Sequence, residues 1–289
     1  MIVMRAGVVA FLAPSLVLLT IFVLIPLGWV IRISFNENVG GAYMRSAWVL
    51  DNYIQFLGST WYLVNTLWYT VYIAFFATVL SALLAYPVAL YIARSTGFQK
   101  SILMTLVLSP LLIGLVTLVY GWIVIFRGGG ILNSLLIGLG VYDEPAQYMW
   151  NIKGVVILLV YIGMPYMTMS LLDSIERINP FLAEAARNVG ANRWTTFWKI
   201  TFPLTMPGLY AGLVIVFTLN FAAFAVPLMV GPDETRMIGL LIYKEALINN
   251  NLPFASSISV IMIAASSVTI IGLGYLFNKM ILNKLEAKK

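Results

Sequence analysis

Asn52–Ala93 reads NYIQFLGSTWYLVNTLWYTVYIAFFATVLSALLAYPVALYIA, 42 consecutive residues without one Asp, Glu, Lys or Arg. A charge at the centre of a membrane helix costs about 2.5–3.5 kcal/mol, so membrane spans show up as long charge-free windows. Cutting the 289-residue chain at every charge leaves six windows of 19 or more residues: Ala6–Ile31, Asn52–Ala93, Ser101–Phe126, Gly154–Leu172, Ile200–Pro232 and Ala246–Asn278. About 20 residues cross the hydrocarbon layer. The expectation is an all-α polytopic membrane protein with helices near Val8–Ile31, Leu63–Ile92, Ile102–Phe126, Val155–Leu172, Leu209–Val230 and Ile258–Phe277. The short apolar run Ile131–Leu139 is expected at an interface. The whole chain, 1–289, reads as one transmembrane domain.

Composition agrees. Apolar residues make up 61% and charged residues 10%, too few charges to cover a soluble surface of this size. With neither cysteine nor histidine, thiolate and imidazole chemistry is absent, and no catalytic or metal site is expected. The first window is too long for a signal-peptide core and reads as an uncleaved anchor.

Arg5, Arg94, Lys100, Arg177, Arg187, Arg193, Lys199, Lys279, Lys284, Lys288 and Lys289 fall on one side of the six spans, 11 of the 17 basic residues. The other six share their side with seven acids. The positive-inside rule makes the richer side cytoplasmic, with both termini there. The net charge of +6 is therefore an orientation signal, not a nucleic-acid footprint. Prolines interrupt several spans. Pro110 near Gly114 and Pro165 near Gly163 are the strongest hinge candidates.

The connection between the fourth and fifth windows, Asp173–Met206, carries its own helix signals. Asn179 suits an N-cap and Pro180 the first helical position. The run Phe181–Val189 favours helix, and Gly190 provides a left-handed stop. A second short helix is expected from Asn192 to Lys199, with Trp194, Phe197 and Trp198 on one face. Pro203 and Pro207 are expected to close the segment before the fifth span.

The spacing Glu184-Ala185-Ala186, then Gly190, then Ile200-Thr201-Phe202-Pro203 resembles the cytoplasmic motif of permeases from binding-protein-dependent type I ABC importers, with Phe202 where the pattern has Leu. Similar stretches run through most of the chain. Phe11–Pro14 and Leu50–Tyr53 are similar to the family's opening helix and outer loop, and Ile131–Leu136, Phe224–Leu228 and Leu252–Ala255 resemble the spermidine/putrescine branch in particular. The resemblance implies a type I permease fold in a bacterial cytoplasmic membrane. It implies two ATPase subunits, a second permease subunit (a different chain in a heterodimer or a second copy in a homodimer, with the different chain favoured) and an extracytoplasmic solute-binding protein. It also implies that Glu184, Ala185, Ala186, Gly190, Ile200 and Pro203 form the ATPase-coupling element. No phosphate-binding loop occurs in this chain, so ATP and Mg are expected in the partner subunits, with no cofactor here.

For the solute, no span contains an acid away from its ends. A polyamine, an amino-acid-like solute and an aminophosphonate all stay open. Asn220 and Phe224, four residues apart on the fifth span, are the candidate pathway face, with Tyr120 and Tyr161 as further candidates. The runner-up reading is an ion-coupled secondary transporter, which would need a coordinating group at the membrane midplane.

Overall fold

The computed structural model describes residues 12–41, 43–232 and 235–286. The expected start of the first span at Val8 lies outside these residues, as do Arg5, Lys288 and Lys289. In chain order the elements are α1 (Leu12–Ser34), strands β1 (Glu37–Gly40) and β2 (Tyr43–Arg45), α2 (Asp51–Leu57), α3 (Thr60–Arg94), α4 (Gly97–Leu112), α5 (Leu115–Phe126) and α6 (Ile131–Gly138). There follow α7 (Ile152–Glu176), α8 (Pro180–Asn188), α9 (Arg193–Phe221), α10 (Ala225–Val230), α11 (Ile238–Tyr243) and α12 (Leu252–Glu286). Among the described residues, six helical stretches are long and apolar enough to cross a membrane. Their exposed faces carry large apolar side chains such as Phe22, Leu83, Ile215 and Val268, which only a hydrocarbon surrounding accommodates.

The third and fifth expected spans are corrected. Ile102–Phe126 is not one helix, because Ile113 turns extended between α4 and α5. Pro110 removes a backbone donor, and Gly114 gives the chain latitude to turn. The third membrane-length stretch is instead Leu115–Gly138, which joins α5 and α6 across a turn. The expected helix Leu209–Val230 stops at Phe221 and restarts at Ala225. Pro227 cannot donate to the Ala223 carbonyl, yet it is tolerated in the first turn of α10, where N–H groups lack helical partners anyway. By contrast α7 runs through Pro165 unbroken.

Two compact units divide the chain, 1–65 with 241–265 and 66–240 with 266–289. In the first, β1 and β2 form a small antiparallel hairpin, turned at Gly40 and Gly41, both at positive φ. Asn52 ties the entry to it, its amide donating to the carbonyls of Ser34 and Asn36, each at 2.9 Å. Phe56 stacks on Tyr62, which meets Phe254 edge-on.

In the second unit α3, α7 and α9 pack through small residues. Ala85 and Ala89 of α3 meet Met167 and Leu171 of α7 and Val216 of α9, all buried. Gly163 lies against Val216 and Ser81, and Gly208 against Ser170 and Ser174. Such residues let membrane helices approach closely where no hydrophobic driving force operates. A second cluster combines Ile73 and Ala77 with Leu118, Val155, Leu158 and Val230.

Candidate functional site

The segment after α7 folds as its side chains dictate. The Asn179 carboxamide oxygen accepts the Phe181 N–H at 3.0 Å, and Pro180 occupies the first turn of α8. At the other end Gly190 has φ +86°. Its N–H reaches the Arg187 carbonyl at 2.9 Å, and the Ala191 N–H reaches the Ala186 carbonyl at 3.0 Å. These two bonds define a Schellman closure, which the left-handed glycine makes possible. Asn192 then caps the next helix, accepting the Thr195 N–H at 2.7 Å. The result is a helix–glycine–helix elbow, as expected.

The second arm differs from expectation. Pro203 and Pro207 do not end it, since α9 runs unbroken from Arg193 to Phe221. Its turn Phe197–Thr201 is π-helical, with the Phe202 N–H bonded to the Phe197 carbonyl. That wider turn relieves the register just where Pro203 would crowd the Lys199 carbonyl. The elbow's second arm is therefore continuous with a membrane-length helix.

Glu184 and Ala185 are exposed on α8, while Ala186 faces inward. Glu184 takes part in no ion pair among the described residues. Ile200 lies half-buried in the π-turn, and Pro203 half-buried just past it. Trp194, Phe197, Trp198 and Phe202 form one aromatic cluster, with ring centroids 5.0–6.2 Å apart. An open cavity of about 840 Å³ lies against the elbow, bordered by Arg94, Lys100, Glu176, Glu184, Arg187 and Arg193. Lys100 and Glu176 pair at 2.7 Å across it. The sequence reading counted Arg94 and Lys100 only as orientation charges. Their position at a helix end and a helix start, on the same side as the elbow, was the available signal.

The solute candidates are dispersed in character. Asn220 is 2% exposed, and its amide donates to the Thr78 hydroxyl at 3.3 Å. Because α9 ends at Phe221, Asn220 and Phe224 do not share a continuous helical face, which corrects the expected geometry. Phe224 and Tyr120 are exposed. Tyr161 packs edge-on against Trp122 at 4.8 Å.

Residues 25–286 match the family model of the binding-protein-dependent transport system inner membrane component. The chain belongs to this family. It is 31% identical over 268 residues to the spermidine/putrescine transport system permease protein PotB of Haemophilus influenzae, covering 93% of both chains. It is 32% identical over 242 residues to PotB of Escherichia coli K12, covering 84% of this chain and 87% of that one. Its fold matches a chain in the crystal structure of a bacterial ABC transporter that imports the acidic polysaccharide alginate, with TM-score 0.73, 18% identity and 96% and 97% coverage. It also matches a chain of the inward-facing MetNI methionine ABC transporter, with TM-score 0.56, 15% identity and 78% and 96% coverage. The protein is thus a permease component of a binding-protein-dependent ABC importer, multi-pass in the inner membrane. Family membership sets aside the ion-coupled alternative. Transport, not catalysis, is the work of this chain.

Proposed function

We propose that this permease forms, with a second permease of different sequence, the pathway of an importer driven by two ATPase subunits that bind ATP and Mg. The elbow is its ATPase-coupling element. Glu184, Ala185 and Ala186 meet the ATPase, Gly190 sets the angle between the arms, and Ile200 and Pro203 join the second arm to its span. Both termini are cytoplasmic, on the elbow's side, and residues 1–289 act as one permease domain. The observation that carries this reading is the Schellman closure at Gly190, which fixes α8, with Glu184 exposed and in no ion pair among the described residues, at the root of the membrane-length helix α9.

The solute is a small polar compound, and the relatives' names favour a polyamine. One observation supports a second reading. With no carboxylate inside the spans, an amino-acid-like or aminophosphonate solute meets no missing counter-charge. The burial of Asn220 and its bond to Thr78 support a packing role for it, leaving Phe224, Tyr120 and Tyr161 as pathway candidates. Uptake into proteoliposomes holding the complete importer and its binding protein tests this directly. Saturable, ATP-dependent entry of labelled spermidine or putrescine, uncompeted by amino acids, supports the polyamine. Entry of an amino acid or aminophosphonate alone selects the second reading.

A further inference from the structure

We infer that Tyr86 is a positioning residue that ties α3 to the elbow, so that the two move as one body when the elbow is pushed. The inference rests on the coupling role proposed above. Thr205, fully buried on α9, donates its hydroxyl proton to the Phe202 carbonyl at 2.9 Å. The same hydroxyl shares a hydrogen bond with the Tyr86 hydroxyl at 2.6 Å. The same Tyr86 ring meets Phe197 edge-on at 5.6 Å and Phe202 at 6.0 Å. Phe197 opens the π-turn and Phe202 follows its close, so Tyr86 grips both ends of the turn that joins the elbow to its span. The bond crosses 119 positions of sequence, from α3 to α9.

Two further features make this contact mechanical. Pro87, the next residue of α3, has no N–H for the Leu83 carbonyl, yet α3 runs through it unbroken, so the contact bears on a continuous helix. The cavity of about 840 Å³, bordered by Leu90 and Ala93 of α3, gives the elbow room to move.

The chain has no native cysteine, so paired spin labels can be placed cleanly. Labels on Leu83→Cys and Val189→Cys, both exposed positions on α3 and the elbow, report whether the two move together in the complete importer. The distances are read with and without ATP and vanadate. The parent pair and Thr205→Ser, which keeps the hydroxyl, are expected to hold one narrow distribution in both states. Tyr86→Phe and Thr205→Val are expected to show a nucleotide-dependent shift and broadening. The same nucleotide response in all four proteins overturns the role of Tyr86. If adding the ATPase leaves the mobility of the Val189→Cys label unchanged, the coupling role of the elbow itself fails.

Discussion

The side-chain amide of Asn220 donates a 3.3 Å hydrogen bond to the hydroxyl of Thr78, joining α9 to α3 between two buried residues. Thr78 in turn gives its own proton to the Ala74 carbonyl at 2.6 Å. The amide is thus used for pairing α9 with α3. Asn220→Ala is expected to cost about 0.5–2 kcal/mol of stability, the range of interhelical hydrogen bonds in membranes. Thermal unfolding in detergent reads the loss, and the KM for uptake should stay unchanged. A shifted KM at normal stability would return Asn220 to the pathway.

Glycine contacts give a sharper packing test. A methyl group on Gly208 would press into Ser174 and the Ser170 backbone, whereas one on Gly272 meets nothing within 4 Å. Gly208→Ala is expected to destabilise by about 1–3 kcal/mol, the usual cost of overpacking. Gly272→Ala should stay within about 0.5 kcal/mol. Equal melting temperatures for the two would contradict the close approach of α7 and α9.

Arg32 has neutral partners in place of a carboxylate. Its guanidinium reaches Asn36 at 2.7 Å, Ser46 at 2.8 Å and the Ala47 carbonyl at 3.0 Å, and lies 4.3 Å from the Trp48 ring centre. A lysine cannot reproduce that fork. Arg32→Lys is expected to loosen the segment between α1 and α2 by about 1 kcal/mol, on the scale of a net hydrogen bond. Limited proteolysis should then cut between Asn36 and Trp48 faster than in the parent protein. Unchanged cleavage would mean that Asn52 alone holds the segment.

Much of the fold was legible because charge is so costly in hydrocarbon. Four of the six expected spans match membrane-length stretches, the third and fifth being displaced by helix breaks, and the elbow's caps followed from Asn179, Pro180, Gly190 and Asn192. Helix breaks inside an apolar window carry no such penalty signal. Pro110 with Gly114 marked one break, but Pro165 with Gly163 made an equally good local case and α7 runs straight through. There Gly163 serves close packing against Val216 instead. The break at Ala222–Phe224 had only Pro227 to announce it, and the decisive contact is remote. Gly239 lies so close to the Ala222 and Ala223 carbonyls that a Cβ there would come within 2.9 Å of both. The grip of Tyr86 on Thr205 was equally invisible, since only the folded chain brings those positions together.

Orientation can be read independently of the elbow. Reporter fusions after Gly97 and Gly190 are expected on the cytoplasmic side, and fusions after Gly40, Gly140 and Gly231 on the opposite side. A fusion at Gly190 reporting from outside would remove the elbow from any cytoplasmic ATPase.

The most direct measurement is coupled transport by elbow variants in proteoliposomes containing the complete importer. A Cβ at Gly190 meets nothing within 4 Å, so the penalty for a side chain there comes from φ +86°. That strain is roughly 1–2 kcal/mol for an ordinary residue and less for asparagine. If the elbow couples ATP hydrolysis to transport, Glu184→Ala and Gly190→Leu insert normally yet lose most binding-protein-stimulated ATP hydrolysis and uptake, while Gly190→Asn retains both. Near-parental coupled transport in Glu184→Ala and Gly190→Leu would contradict that role, leaving the elbow a connector only.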